Sequence, residues 1–374
     1  MNERKIKILH LFSTLPVGGA EMLMLNIAKN INRQKFKVVV CCLGEEGIIG
    51  REIKDLGVEV VSFNFNKIGS LNPGLLFILV SFLKSRKFDI IHTHMYNANY
   101  YGRVGALLAG IPVIVSAVHN TYAKRKLHRI IINRILSKIT KMVFVGTPAV
   151  KEDVNKYDHI PDDKIEILSY GIDTEKFLEK HDRDAIRKDL GLAPGDCIVG
   201  NVARLEKAKG QKYLIEAVQI LKDKGLNVKC LVVGSGSLEQ ELRNLVTAKE
   251  VEDRVFFLGT RTDLPELFSA MDMFVFPSLW EGLPLSLLSA MAAGLPIITT
   301  HAGGIRDVIV DGEDGIVVPG SDASAIAKAI EKVLNDKELR KMLSENARQK
   351  VLQYYSAEVM TRNLEVKYEE LISC

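Results

Sequence analysis

Short β-branched runs that alternate with longer helical patterns constrain this chain more than any other feature. Residues 6–11, 38–43, 58–63, 90–94, 113–117 and 142–145 read as strands separated by helical segments. At residue 197 the cycle restarts, with strands at 197–203, 228–234, 255–258, 273–277, 297–300 and 316–318. Such alternation builds parallel sheets with helices on both faces. Two series predict two doubly wound, Rossmann-like α/β domains, and 374 residues exceeds the size at which a single core usually stops growing. The boundaries are set at 1–172 for the first domain, 173–196 for a polar, charge-rich linker ending in Leu192-Ala193-Pro194-Gly195, and 197–356 for the second domain.

Composition removes other classes. With 47% hydrophobic and 26% charged residues the chain is neither disordered, collagenous nor coiled coil. Cys41, Cys42, Cys197, Cys230 and Cys374 form no framework of spaced pairs, which predicts reduced thiols in a cytoplasmic protein. The start carries no signal-length apolar core, and the longest apolar run, 75–83, is too short to span a bilayer.

Charge is unevenly spread. Residues 1–170 hold 24 Lys/Arg against 14 Asp/Glu, leaving 26 against 32 in the remainder of the 50 and 46. No acid occurs from 90 to 151, where Lys124, Arg125, Lys126, Arg129, Arg134, Lys138 and Lys141 surround Ile130, Ile131, Ile132, Ile135, Leu136 and Ile139. This basic amphipathic segment reads either as a peripheral attachment to an anionic membrane or phosphate-bearing acceptor, or as a solvated helix packed on a sheet. Nucleic acid is disfavoured, because aromatics are sparse and no binding motif accompanies the charge.

Open parallel sheets bind ligands beyond the carboxyl ends of their strands, so those loops carry the candidates. After the first strand, Gly18-Gly19-Ala20-Glu21 opens a helix whose free N–H groups suit an anion, or is a plain turn. In the second series Arg204 and Lys209 follow the first strand, where they would neutralise a diphosphate or remain solvated cations. Gly234 and Gly236 form a turn after the next strand. The richest segment is Pro277-Ser278-Leu279-Trp280-Glu281-Gly282-Leu283-Pro284, a carboxylate in a glycine-proline turn ahead of an apolar helix. Glu281 can accept sugar hydroxyls or merely cap that helix.

Together these residues, with Asp89-Ile90-Ile91-His92-Thr93-His94, His119, Tyr170-Gly171-Ile172-Asp173 and Gly303-Gly304, resemble the retaining glycosyltransferases of family 4 over nearly the whole chain. The resemblance implies the GT-B fold, two Rossmann-like doubly wound parallel-sheet domains facing each other across a cleft. It implies a nucleotide-sugar donor (UDP- or GDP-sugar) bound by the second domain and a glycan or lipid-linked acceptor received by the first, in cell-surface polysaccharide or glycolipid synthesis. In that scheme Arg204 and Lys209 hold the diphosphate, Glu281 the donor sugar, and Gly282, Leu283 and Pro284 the turn around it. Gly19 contacts phosphate, His119 faces the donor sugar, Gly234, Thr260 and Arg261 lie around the nucleotide, and the terminal helix, about 357–374, crosses back to the first domain.

No cofactor and no metal are expected, because Arg204, Lys209 and helix N-termini replace a divalent ion. His92 and His94 are placed on opposite faces of their strand and so are not expected to share an ion. Two positions depart from the family pattern. Ser289 stands where a second glutamate usually binds the ribose, and Asp307 stands where glutamate is commoner. Ser289 keeps open a nucleotide-sugar-binding homologue with weak or no turnover. The fold keeps open an epimerase or a pyridoxal-dependent phosphorylase. A nicotinamide oxidoreductase lacks its glycine fingerprint.

Overall fold

The computed structural model describes residues 4–65, 72–120 and 127–373. It divides into two compact units, Met1–Gly171 with Ala357–Cys374, and Ile172–Ser356.

The first unit carries a sheet of β1 (Ile6–Phe12), β2 (Phe36–Cys42), β3 (Glu59–Ser62), β4 (Ile90–His94), β5 (Val113–Val118), β6 (Met142–Val145) and β7 (Ile165–Ile167). All pairs are parallel, in the order β3-β2-β1-β4-β5-β6-β7. β4 and β5 are buried along their whole length, as strands covered on both faces must be. Helices α1 (Gly19–Asn30), α2 (Gly47–Asp55), α3 (Pro73–Arg86), α4 (Tyr96–Ala109), α5 (Leu127–Leu136) and α6 (Pro148–Asp153) connect them. Two of these starts follow directly from local sequence: Asn72 caps α3 and Thr147 caps α6, each followed by proline at the first helical position.

The second unit repeats the plan. Its sheet is β8 (Cys197–Val202), β9 (Val228–Val233), β10 (Val255–Gly259), β11 (Met273–Phe276), β12 (Ile297–Thr299) and β13 (Ile316–Val317), in the order β10-β9-β8-β11-β12-β13. Its helices are α7 (Arg183–Asp189), α8 (Gln211–Asp223), α9 (Glu239–Ala248), α10 (Leu264–Ala270), α11 (Leu285–Ala292), α12 (Ala323–Asn335) and α13 (Lys337–Tyr354). In each sheet the order reverses beside the first strand, between β1 and β4 and between β8 and β11. The loops that leave those strands diverge there and open a place for a ligand.

The structure departs from the sequence reading in three places. β7 is an additional strand whose three residues are too few to show a period. Residues 173–196 are no linker but part of the second unit: Arg187 of α7 is buried, donates to Ala270 O at 2.9 Å and pairs with Asp272 at 2.7 Å. The local charge that reads as solvated is satisfied by a distant carboxylate. His92 and His94 lie on the same face, as residues two apart on a strand must, with ring centroids 4.3 Å apart.

The last helix, α14 (Ala357–Ser373), packs on α1 of the first unit. Its fully buried Tyr368 anchors it, and Lys35–Glu369 and Lys367–Glu166 pairs flank it at 2.7 and 3.0 Å. Among the described residues no helix is long and apolar enough to cross a membrane.

Candidate active site

In the second unit the loops after β8, β11 and β12 are laced together. Lys209 ends a single 3-10 turn after β8, and Glu281 lies in the loop after β11. Lys209 Nζ sits 2.5 Å from Glu281 Oε1, with side chains only 15% and 5% exposed. Ser278 Oγ donates to the same oxygen at 2.8 Å, and the ammonium lies 5.7 Å from the Phe276 ring centroid. Ala208 O accepts from Leu279 N at 2.7 Å, tying the two loops by their backbones.

Two glycines make that lacing possible. At Gly210 (φ +65°) a Cβ would lie 2.0 Å from Pro277 O, and at Gly303 (φ +54°) one would lie 1.9 Å from Glu281 O. No side chain fits at either place, and the positive φ is costly for any other residue. Glu281 is therefore held by its backbone on one side and by Lys209 and Ser278 on the other. The residue at the N-cap of α11 is Pro284, whose side chain makes no cap bond.

Of the other candidates, Arg204 is 72% exposed and only 4.0 Å from Glu206, a loose pair that leaves the guanidinium able to meet an anion. The α8 N-terminus follows at Gln211, whose side chain donates to Arg204 O at 3.0 Å and fixes that loop. Leu283 and Ser289 are buried, and Gly282 and Pro284 complete the turn into α11. Gly234 (φ +129°) lets the end of β9 pass Ala203, since a Cβ would lie 2.1 Å from Ala203 O. Thr260 Oγ1 lies 3.0 Å from Ser235 Oγ. Arg261 does not reach outward: its guanidinium grips Asp263 through two bonds, which raises the arginine pKa and holds the Asp263 carboxyl below the usual range.

In the first unit Gly19 is exposed at the start of α1, with Glu21 buried in its first turn. His119 follows β5. Its Nδ1 lies 2.7 Å from Tyr170 Oη and its Nε2 3.2 Å from His94 Nδ1; burial lowers its pKa to about 4. Behind it, one ring nitrogen from each of His10, His92 and His94 lies within 4.8 Å of the others, and burial keeps all three neutral. Neutral imidazoles so grouped are able to hold a zinc or copper ion, although direct nitrogen to nitrogen hydrogen bonding already occupies His10 and His94 at 3.0 Å. His10 and Tyr368 escape the sequence reading, and Ser278 lies in the segment it singles out but is given no role there. His10 alone was detectable, because parallel pairing of β1 with β4 sets it beside His92.

The basic segment is split. Lys124, Arg125 and Lys126 lie outside the described residues. Along α5, Leu127, Ile131 and Ile135 are exposed at 71%, 49% and 59%, a stripe at four-residue spacing beside exposed Arg134 and Lys138. These side chains do not pack on the sheet. Arg129 instead turns inward, stacked 4.1 Å from the Tyr96 ring.

Two parallel-sheet units, each open at its strand-order reversal and one presenting a buried carboxylate with cations at helix starts, define the GT-B class of sugar-transferring enzymes. The Glycosyltransferase Family 4 profile matches residues 17–176 and that of Glycosyl transferases group 1 matches residues 182–350, so the chain belongs to glycosyltransferase family 4. It is 29% identical over 93% of its length and 92% of the relative's to an Escherichia coli UDP-Gal:alpha-D-GlcNAc-diphosphoundecaprenol alpha-1,3-galactosyltransferase. It is 28% identical over 92% and 94% to a Campylobacter jejuni N,N'-diacetylbacillosaminyl-diphospho-undecaprenol alpha-1,3-N-acetylgalactosaminyltransferase. The crystal structure of Anabaena HepE in complex with UDP and glucose matches its fold with a TM-score of 0.89, at 22% identity over 98% of this chain and all of the other.

Proposed function

We propose that the protein transfers a sugar, with retention of anomeric configuration and without a metal, from a UDP- or GDP-sugar to a diphosphate-linked polyprenyl acceptor during synthesis of a cell-surface polysaccharide or glycolipid. The observation that carries the reading is the buried Lys209–Glu281 pair beside exposed Arg204. Three donors on Lys209 and the fork of Arg204 suit a diphosphate whose charge grows as the sugar departs. Glu281, locked by backbone and side chain, accepts hydroxyls of the donor sugar. The α8 N-terminus adds partial positive charge of the kind a divalent ion would otherwise supply. The two enzymes named above act on diphosphoundecaprenol-linked sugars, which supports this acceptor class.

The first unit receives the acceptor, and Gly19 and His119 are its contributions to the reaction. The stripe Leu127, Ile131, Ile135 with Arg134 and Lys138 brings the enzyme peripherally to the cytoplasmic face of an anionic membrane, where such an acceptor resides. Ser289 favours a second reading: a protein that binds the donor with weak turnover, because a serine cannot replace a bidentate carboxylate on the ribose.

A transfer assay with a panel of nucleotide sugars and a diphosphate-linked lipid acceptor, with and without EDTA, tests the reading. Transfer that survives EDTA and yields the donor's anomer is expected. Donor binding without product on any acceptor supports the second reading.

A further inference from the structure

Six buried or half-buried groups of the first unit form one continuous hydrogen-bonded line. His92 Nδ1 lies 2.6 Å from Tyr368 Oη, which lies 3.3 Å from His10 Nε2. His10 Nδ1 is 3.0 Å from His94 Nε2, His94 Nδ1 is 3.2 Å from His119 Nε2, and His119 Nδ1 is 2.7 Å from Tyr170 Oη. The line runs from the terminal helix α14, through β1 and β4, to the loop after β5.

Its polarity follows from the Tyr170 end. Tyr170 Oη is also within 3.4 Å of Val118 O, and a carbonyl only accepts, so the phenol's proton points there. Tyr170 then accepts from His119 Nδ1–H, leaving His119 Nε2 to accept from His94 Nδ1–H. By the same step His94 Nε2 accepts from His10 Nδ1–H, and His10 Nε2 accepts from Tyr368 O–H. Tyr368 in turn accepts from His92 Nδ1–H. At the far end His92 Nε2 is buried with no partner among the described residues, and in this polarity it carries a bare lone pair. Reversal would leave His92 Nε2 just as unpartnered and would also take the phenol's proton away from Val118 O, so the Tyr170 end sets the polarity. His10, His94 and His119 each use one donor and one acceptor, which requires those three to be neutral.

We infer that this line holds His119 as the neutral Nδ1–H tautomer with its ring fixed, and that His10, His94 and Tyr368 are positioning residues that act through His119. The catalytic half of the inference rests on the role given to His119 above. Burial supports the protonation states, lowering His10 to about 3 and His92 and His94 well below the usual imidazole range. Tyr368 thereby couples the terminal helix to the loop after β5 through hydrogen bonds as well as packing.

Imidazole 15N spectra of the full-length protein at pH 7 test the line directly. All four histidines are expected neutral and protonated on Nδ1, the opposite of the Nε2–H form that such side chains favour in water. An Nε2–H signal or an imidazolium at His10, His94 or His119 overturns the inference, whatever reaction the protein catalyses. Tyr368→Phe keeps the ring and removes the link, so the His10 and His92 signals are expected to move to mixed tautomers. With sugar transfer as readout, the same variant is expected to lower kcat by about three- to tenfold at unchanged donor KM. Intact tautomers in the wild type with unaltered kinetics in a folded Tyr368→Phe would refute the positioning role. If Tyr368→Phe does not fold, His94→Gln, which retains a donor and an acceptor, takes its place with the same kinetic expectation. Absence of transfer by the wild type on every donor and acceptor counts against the catalytic half and, separately, against the proposed function, while the spectra still decide the line.

Discussion

Lys209 and Glu281, 72 residues apart in sequence, meet at 2.5 Å where the loops of two neighbouring parallel strands diverge. Removing one member leaves the other charged and buried. We expect Glu281→Gln and Lys209→Met each to destabilise the second unit by about 3 kcal/mol or more, with much of the loss recovered in the double variant. Urea unfolding of the two singles and the double measures the coupling. Donor turnover should not return with stability, because the double variant lacks both groups proposed to hold the donor's sugar hydroxyls and its phosphate. Full activity in a stable Glu281→Ala would remove it from the site.

Gly303→Ala and Gly210→Ala place a methyl within about 2 Å of a backbone carbonyl that cannot yield. Each is expected to cost at least about 2 kcal/mol and to reduce donor binding, since the displaced backbone carries Glu281 or precedes it. Gly320→Ala has open space around it and serves as the control. Equal melting temperatures for all three would show that the loops after β11 and β12 are not locked together.

The buried histidines set a pH dependence. His10 is lowered to about 3, and His92 and His94 lie well below 6.5, all chiefly by burial. In the unfolded chain they titrate near 6.5, so below that pH the unfolded state binds more protons. The stability they contribute is complete above about pH 6.5 and falls as pH drops from there, by about 1.4 kcal/mol per pH unit for each histidine still neutral in the fold, for His10 down to about pH 3. Urea midpoints at pH 7.5 and 5.5 test this, and His10→Gln should flatten the decline.

Restoring the carboxylate at position 289 tests the departure from the family pattern. Ser289→Glu adds a charge-assisted bond worth about 1.5 to 3 kcal/mol, or about ten- to a hundredfold in affinity for a nucleoside diphosphate. Thermal shifts with UDP, GDP, ADP and CMP, set against each ligand-free protein, identify the base and separate tighter binding from altered packing of the buried site. A smaller nucleotide response in Ser289→Glu than in the parent would remove position 289 from the ribose site.

Exposed Leu127, Ile131 and Ile135 should carry membrane affinity together with Arg134 and Lys138. Replacing the three apolar residues by serine should abolish sedimentation with anionic vesicles, and Lys138→Glu should weaken it more at low salt than at high. Equal sedimentation with neutral and anionic vesicles would rule out an electrostatic contribution.

Periodicity alone located twelve of the thirteen strands among the described residues. The alternation of β-branched runs with helical patterns is a local property, written residue by residue. The ordered loop motifs likewise marked Arg204, Lys209 and Glu281, because the ends of strands are where parallel sheets put chemistry. Three-residue β7 was too short to show a period, and segment 173–196 looked like a linker because Asp272, the partner of its Arg187, lies 85 residues away.

The sequence by itself determined two doubly wound units and which loops carry charge, since both follow from contacts within about one helix or strand. Only the tertiary structure decided that Lys209 neutralises Glu281, that Arg187 is held by Asp272, and that His10, His94 and His119 share one line with Tyr368 of the last helix. Each of these depends on how strands are ordered and where a distant segment docks. Those choices are made by burial of the whole core, which no local pattern encodes.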